Sequence, residues 1–406
     1  MRQYGLFEAF GIELEYMLVD RSTLDVRPLC DVLMQEAAGH ITGDFDNGRL
    51  AWSNELVNHV VELKTKGPAP SLEGLHQVFH QNVQQINELL SKHNALLLPT
   101  GAHPWMNPFT ETQLWTHESS EIYKLYNRIF DCRGHGWSNL QSTHINLPFK
   151  NEEEFGRLHA AIRLVLPLLP ALAASTPILD GRNTGFRDAR LEHYRFNQKR
   201  LPIIAGSIIP EAVYTQGDYQ AQIFDPIRSA IAPYDEEGLL KQYFLNSRGA
   251  IARFDRGAIE IRLLDIQESP RADMAIVTLV VAVVQALAEG EWASFDAQAK
   301  WHEQDLLDLL LKTIREGEEA RLSDAAFLRL WHYPGKRATA GELWQHLLER
   351  VADRLSAEQV TTLRYQLYHG TLSQRILSQL KGDFRRPALH EVYRRLGDCL
   401  QSNTLL

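Results

Sequence analysis

The sequence predicts an α+β protein built on an antiparallel sheet, with helices packed on one face of the sheet. Three stretches far apart in the chain alternate polar and apolar residues with a period of two, at residues 10–16, 143–147 and 258–263. Such alternation is typical of strands that bury one face and present a polar face on the other side. From about residue 305 onward the pattern is that of consecutive helices, which predicts a C-terminal helical extension.

The first of these strands carries two acidic residues on one face. Glu13 and Glu15 point to the same side, whereas Ile12, Leu14 and Tyr16 point to the other. Two neighbouring like charges repel each other, and a bound divalent cation would convert that repulsion into coordination. The alternative is a solvated face of an edge strand, which the first strand alone leaves open.

The other two strands repeat the arrangement. His144 and Asn146 share one face of the second strand, and Glu260 and Arg262 share one face of the third. In both strands the intervening residues are Ile or Leu. This recurrence weakens the edge-strand alternative and predicts that the polar face of the sheet lines a site.

A fourth segment adds two more carboxylates, Glu55 and Glu62. Because residues 60–65 are typical of a strand, we place Glu62 on the sheet and Glu55 on the preceding turn or bulge. A set of carboxylates with one imidazole and no thiolate favours Mg²⁺ or Mn²⁺ over zinc. The predicted metal-binding concave face would therefore hold two or three ions through six ligands: Glu13, Glu15, Glu55, Glu62, His144 and Glu260.

Length and composition set the remaining limits. With 406 residues the chain is long enough for a large core, and we divide it into a catalytic part, residues 1–295, and a helical extension, residues 296–406. The net charge of −9 argues against a nucleic-acid partner.

Three widely spaced cysteines and the absence of a signal-peptide pattern favour the reducing cytoplasm. The longest apolar run, residues 275–288, is too short to span a bilayer and is typical of a core helix, so no membrane partner is expected.

The elements between these strands follow from periodicity and turn residues. We predict helices over residues 29–38, 72–93, 119–130 and 151–174, the last broken near Pro167 and Pro170. Residues 95–98 form a short strand, and residues 43–48 have the composition of a turn. Six further helices are predicted between residues 306 and 400.

Residues 175–235 have no clear periodicity, and they are rich in cations in an otherwise acidic chain. Long irregular loops inside compact domains are commonly functional. We therefore expect residues 181–200 to close as a lid over bound substrate, whereas a solvated basic loop remains the alternative. The cations concerned are Arg182, Arg187, Arg190, Arg195, Lys199 and Arg200.

Taken in this order, the motifs resemble those of carboxylate–amine ligases of the glutamate–cysteine ligase family 2 type, which share the catalytic fold of glutamine synthetase. The resemblance covers about residues 8–270: the Gly-Ile-Glu-Leu-Glu strand, the Glu55/Glu62 pair, the His-x-Asn and Glu-x-Arg strands, and the run from Ala174 to Arg190. The chain departs from the family pattern at Asp188, where Ser is expected, and at Arg187 before it.

The resemblance implies an ATP-dependent ligase that joins a carboxylate to an amine or amino acid through an acyl phosphate, with Mg²⁺ on the β- and γ-phosphates. Arg262 and Arg190 are then the candidate catalytic cations, and Arg262, Arg187 and Arg182 the candidate nucleotide-binding residues. Glutamate is the default acid by resemblance only. A homo-oligomer is compatible with the sequence.

Other reactions stay open at this stage. The same metal ligands could activate water in an amide hydrolase that uses no ATP. A phosphotransferase of related fold and a non-catalytic metabolite binder are further alternatives. The sequence does not identify a general base for the amine, and Asp188 is the candidate it offers.

Overall fold

A computed structural model describes residues 3–406, and an eight-stranded antiparallel sheet forms its centre. Six strands come from the first part of the chain: β1 (Gly11–Asp20), β2 (Asp44–Asn47), β3 (Leu50–Asn54), β4 (Val60–Thr65), β5 (Ala95–Leu98) and β6 (Ser142–Pro148). After the two-stranded pair β7 (Ile178–Leu179) and β8 (Arg182–Asn183), the sheet is completed by β9 (Ala250–Arg253) and β10 (Ala258–Asp265). The order is β2-β3-β4-β1-β6-β10-β9, and β5 pairs with the second half of β1. A second small pair, β11 (Arg321–Leu322) and β12 (Ala338–Thr339), lies near the C-terminal helices.

Helices surround the sheet along the whole chain. Those of the first 300 residues are α1 (Cys30–Ala38), α2 (Leu75–Ser91), α3 (Pro108–Glu111), α4 (Ser120–Phe130), α5 (His135–Ser138), α6 (Glu152–Val165), α7 (Pro170–Ala173), α8 (Ala189–Tyr194), α9 (Gln216–Tyr219), α10 (Asp225–Ile231), α11 (Gln242–Leu245), α12 (Pro270–Ala288) and α13 (Phe295–Ala299). The C-terminal helices are α14 (Glu303–Glu316), α15 (Ala325–Leu330), α16 (Ala340–Val351), α17 (Ala357–His369), α18 (Leu372–Leu380) and α19 (Arg386–Ser402).

The two faces of the sheet have opposite chemistry. Strand register places Glu15 opposite Glu62 and Glu13 opposite His144, so these side chains share one face. Ile12 and its apolar neighbours on the other face belong to one buried cluster with side chains of α2, α6 and α12. The predicted fold class is therefore confirmed: one sheet face is apolar and carries helices, and the other is polar.

Most predicted elements agree with the structure, with one clear exception. Glu62 lies on β4 and Glu55 in the turn after β3, as predicted. The expectation of a turn over residues 43–48 is wrong, because residues 44–47 form β2 and pair with β3. Only Gly48 and Arg49 form the turn of this hairpin, and Gly48 supplies the positive φ of 68° that a two-residue turn favours.

Helix α12 is long and apolar enough to cross a membrane by length and composition, but 83% of its most apolar window is buried inside the protein. Such burial is typical of a core helix, as the sequence predicted, although the helix starts at Pro270 and is longer than the apolar run of residues 275–288.

The C-terminal helices contact the sheet domain extensively. The indole of Trp344 donates a hydrogen bond to the backbone oxygen of Leu168 at 2.8 Å, and the Thr313 hydroxyl donates to that of Pro167 at 2.6 Å. Arg375 on α18 forms a buried ion pair with Glu268, just before α12. The division at residue 295 stays a prediction, and the contacts across it form part of the protein's main apolar core.

Candidate active site

The polar face of the sheet forms the floor of a cavity of about 950 Å³. Strands β1, β3, β4, β6 and β10 supply the floor, while α4 and residues 243–258 contribute to the walls. A volume near the top of the usual range for ligand sites suits two or more small substrates. The lining includes eight of the residues predicted from the sequence: Glu13, Glu15, Glu55, Glu62, His144, Arg190, Glu260 and Arg262.

The first group of potential metal ligands comprises Glu13, Glu62 and His144, whose ligand atoms lie within 4.8 Å of one another. Cross-strand neighbours position it: the imidazole Nδ1 of His144 lies 2.8 Å from Glu13 Oε2, and the amide of Asn146 donates to the other Glu13 oxygen at 3.0 Å. Glu13 and His144 meet through the pairing of β1 with β6, and Glu62 joins them because β4 pairs with the other edge of β1.

The second group comprises Glu15, Glu55 and Glu62, again within 4.8 Å, so Glu62 is shared by both. Glu15 accepts hydrogen bonds from the backbone N–H of Ser142 at 2.6 Å and from its hydroxyl at 2.9 Å. Glu62 accepts one from the Ser53 hydroxyl at 2.8 Å. The two groups together contain five of the six predicted ligands.

Burial and mutual repulsion raise the pKa of two of these carboxyl groups. Burial, followed by the charge of Glu13, raises the pKa of Glu62 to about 7. Burial and the charges of Glu15 and Glu62 raise the pKa of Glu55 well above its usual range. Although burial alone would lower it, the hydrogen bond to Glu13 raises the pKa of His144 to about 9. Carboxyl groups that resist joint ionisation, converging with one imidazole, have the donor chemistry of a divalent-cation site, and these residues fit Mg²⁺ or Mn²⁺.

Glu260 lies on the same face but in neither group. Its carboxylate accepts hydrogen bonds from the Nε and Nη2 of Arg262, the former at 3.2 Å, and it lies 3.6 Å from Nη1 of Arg253. The expectation that Glu260 stands with the other ligands is therefore not met by this arrangement, because two guanidinium groups already occupy its carboxylate. Arg262 forms a salt bridge on the sheet face while a quarter of its side chain remains exposed.

Arg190 contributes to the cavity wall, although its side chain is almost completely buried. It is 2% exposed, its Nε donates to Asp265 and its Nη2 donates to the backbone oxygen of Leu263 at 2.8 Å. Asp265 also accepts from the backbone N–H of Ser175 at 2.8 Å and from the Thr176 hydroxyl at 3.0 Å. Arg190 is therefore held in a buried network beside the cavity, unlike a mobile lid residue.

The structure does not bring Arg182 and Arg187 to the cavity. Arg182 is exposed on β8, 3.8 Å from Asp180, and the Arg187 backbone N–H donates to the Ile314 oxygen at 3.1 Å. Asp188 is fully buried and caps α8 by accepting from the Leu191 N–H at 2.8 Å. The predictions of nucleotide contacts for these two arginines and of Asp188 as base do not fit this placement. The lid over residues 181–200 stays a prediction, since Arg190, Tyr194, Asn197 and Gln198 line the cavity. From Asp188 onward, the cap of α8 and the buried ion pair of Arg190 hold the segment in place, which its polar composition did not reveal.

The cavity also contains charged residues that the sequence analysis did not single out: Asp44, Lys64, Glu118, Arg253 and Arg256. Lys64 shares the face of Glu62 by strand alternation, and this signal could have identified it. Arg253 and Arg256 flank the turn before β10, where a strand followed by Asp-Arg-Gly predicts a hairpin. Glu118 lies in an aromatic-rich loop without periodicity, so no local signal was available.

Known proteins were compared with the chain by sequence. Residues 9–395 match the family described as glutamate-cysteine ligase family 2. An uncharacterized protein of Archaeoglobus fulgidus is 28% identical over 396 residues, covering 97% of this chain and 98% of that protein. A protein of Rubrobacter xylanophilus, provisionally named glutamate–cysteine ligase 2-3, is 24% identical and covers 86% and 85% of the two chains. A protein of Bradyrhizobium diazoefficiens, provisionally named glutamate–cysteine ligase 2, is 25% identical over a segment that spans 55% of this chain and 48% of that protein.

Solved structures show the same fold. The glutamate–cysteine ligase of Francisella tularensis in complex with AMP has a TM-score of 0.62 at 13% identity, covering 99% of this chain and 90% of that one. A bifunctional glutathione synthetase from Pasteurella multocida has a TM-score of 0.56 at 13% identity, covering 96% and 53%. The family match covers nearly the whole chain, including every strand of the polar sheet face. It shows that this protein belongs to glutamate-cysteine ligase family 2.

Proposed function

We propose that the protein is an ATP-dependent ligase that joins a small carboxylate to an amine through an acyl phosphate. The observation that carries the proposal is the pair of oxygen-rich ligand groups sharing Glu62, on the floor of a large cavity that also contains Arg262. Family membership supports the ligase class, and the acid we test first is glutamate.

The chain's own residues have distinct roles in this proposal. Glu13, Glu62 and His144 would hold one divalent ion, and Glu15 and Glu55 would share Glu62 with a second. Bound ions would supply positive charge for the phosphates of the nucleotide. Deprotonation of the ligands is required first, so the protein must release the protons that His144, Glu55 and Glu62 hold.

In this proposal Arg262 would meet the transferring phosphoryl group. Its guanidinium lies on the cavity floor and Glu260 fixes its orientation. A pre-oriented cation stabilises charge that develops in the transition state without reorganising. Arg190, locked to Asp265, provides a second fixed cation at the cavity wall.

The test is ADP formation in the presence of Mg²⁺ or Mn²⁺, across a panel of carboxylates with and without amines. We expect ADP and amide in equal amounts, and only when acid and amine are both present. Amide cleavage without ATP would instead establish the hydrolase alternative. ADP formed with a phosphorylated guanidino compound would establish the phosphotransferase.

A further inference from the structure

One row of side chains continues the polar sheet face beyond the two ligand groups. Strand register places Asp44 on β2 opposite Ser53 on β3, and Ser53 opposite Glu62 on β4. Directly opposed residues of antiparallel strands share one face of the sheet. The row therefore leads from Glu62, which both ligand groups share, to Asp44, whose side chain is 58% exposed.

The ammonium group of Lys64 lies between the two carboxylates of this row. Its Nζ is 3.1 Å from Asp44 Oδ1 and 3.4 Å from Glu62 Oε1, and it donates a hydrogen bond to Ser53 Oγ at 2.8 Å. The Ser53 hydroxyl donates in turn to the same Glu62 oxygen at 2.8 Å. Although burial alone would lower it, the charges of Glu62 and Asp44 raise the pKa of Lys64, so this side chain is a cation at neutral pH.

The two carboxylate partners of Lys64 differ in what else they can bind. The side chain of Glu62 is only 10% exposed and belongs to both ligand groups, whereas Asp44 belongs to neither. A divalent cation on Glu62 would share this carboxylate with the Lys64 ammonium, and two cations on one carboxylate repel each other. Because Lys64 already contacts Asp44, its flexible stem allows the ammonium to leave Glu62 and keep an ion pair.

We propose that Lys64 is the internal counter-ion of Glu62, that it competes with divalent cations for this carboxylate, and that Asp44 retains the ammonium when an ion binds. This inference rests on the metal binding in the proposed function. In the absence of ions, the ammonium offsets part of the negative charge of the buried carboxylates. The same charge lowers the affinity for ions, so a residue that is not a ligand sets how tightly the ligand groups hold them.

Calorimetric titration of the nucleotide-free protein with Mg²⁺ at pH 8 tests the competition. Lys64→Met removes the charge and keeps an unbranched apolar stem, while Lys64→Gln removes the charge but can still donate to Ser53. We expect both variants to bind Mg²⁺ about tenfold more tightly than wild type, because a repelling charge beside Glu62 is lost. A competing proton on Glu62 gains about half as much from this loss as a divalent ion does, so the direction of the change holds.

Asp44→Asn should have the opposite effect, because Lys64 then loses its second carboxylate partner and stays with Glu62. We expect this variant to bind Mg²⁺ about three- to tenfold more weakly than wild type. In the Lys64→Met background, Asp44→Asn should change the affinity by about twofold or less, because the ammonium through which it acts is missing.

Lys66→Met is the matched control. The ammonium of Lys66 lies 2.6 Å from Asp46 on β2, but Lys66 follows Glu62 by four residues, roughly 13 Å along an extended chain. At that separation the loss of its charge is largely screened, so the Mg²⁺ affinity should stay within about twofold of wild type.

Unchanged or weaker Mg²⁺ binding in both Lys64 variants would overturn the proposal, and so would an equal effect of Asp44→Asn with and without Lys64. A wild type that binds neither Mg²⁺ nor Mn²⁺ would contradict the proposed metal sites themselves. That result is distinct from a wild type that binds these ions with an affinity independent of Lys64.

Discussion

At the residue scale, Arg262 forms a salt bridge with Glu260 and also has a proposed role in phosphoryl transfer. Replacing Arg262 with Ala leaves Glu260 beside Arg253, and the strand neighbours Ile259 and Ile261 keep the core intact. We expect kcat to fall about 10²–10³-fold, because a cation that meets developing charge is removed. Steady-state ADP formation and a thermal melt of the same sample measure the two effects.

Arg262→Lys serves as the graded control. Lysine keeps the charge but not the planar fork that pairs with Glu260, so it should restore only part of the rate. A much lower melting temperature of Arg262→Ala combined with normal turnover of its folded fraction would show that Arg262 only supports the fold.

Glu62 couples metal binding to pH. Its pKa is raised from 4.5 to about 7 by burial and by Glu13, so the metal-free folded protein holds a proton that the unfolded chain loses near pH 4.5. Between pH 4.5 and 7 the metal-free protein therefore loses stability as the pH rises. Mg²⁺ requires the ionised carboxylate, so we expect its affinity to rise through pH 7, and to keep rising toward pH 9 as His144 also loses its proton.

Calorimetric titration of Mg²⁺ at pH 6, in buffers of different ionisation enthalpy, measures the protons released on binding. We expect release, and we expect less of it for Glu62→Gln, which also binds more weakly. Proton uptake on binding, or wild-type affinity in Glu62→Gln, would contradict the placement of the metal.

At the level of elements, the observed environment of α8 differs most from its predicted role as part of a lid. The Arg190 backbone N–H donates to the Thr176 hydroxyl at 3.1 Å and the Ala189 N–H to the Thr176 oxygen at 3.1 Å. With Arg190 paired to Asp265 in a buried network, we expect α8 to exchange its amide hydrogens slowly in the free protein. The exposed residues Arg182, Asn183 and Gly185 provide the internal reference for fast exchange.

Asp265→Asn tests the reason for that protection. Breaking a buried ion pair by removing one charge commonly costs about 3–5 kcal/mol, so exchange in α8 should accelerate strongly and the melting temperature should fall. Fast exchange of α8 in the wild type, slowed by ATP, would instead support the lid hypothesis.

At the level of the whole molecule, the core passes from the sheet into the C-terminal helices without a gap. Trp344 and Leu347 on α16 lie in the same buried cluster as Leu14 on β1 and Val280 on α12. We therefore expect one cooperative unfolding transition in which β1 and α16 exchange hydrogen together. Trp344→Ala should lower the free energy of unfolding by about 3–5 kcal/mol.

Urea titration followed by hydrogen-exchange mass spectrometry measures both effects. Loss of protection in α16 at a lower urea concentration than in β1 would show two units that fold separately, as a division at residue 295 implies. The exposed Tyr368→Ala provides a control that should leave the transition unchanged.

The sequence by itself determined the composition of the sheet face. Alternation with a period of two assigns Glu13, Glu15, His144 and Glu62 to polar positions before any partner strand is known. A strand has only two faces, so a local pattern is enough to decide which residues share one. The same logic identified α12 as a core helix, because it is apolar on all sides.

Only the tertiary structure decided which of these residues lie together, and with which partners the arginines pair. Strand order brings Glu62 beside Glu15 and leaves Glu260 with Arg253 and Arg262, and neither outcome follows from spacing along the chain. The arginines of residues 182–190 separate into an exposed strand and a buried network because Asp265, 75 residues beyond Arg190, pairs with one of them. Charge pairing in a folded protein depends on distances through space, and sequence periodicity carries no information about those distances.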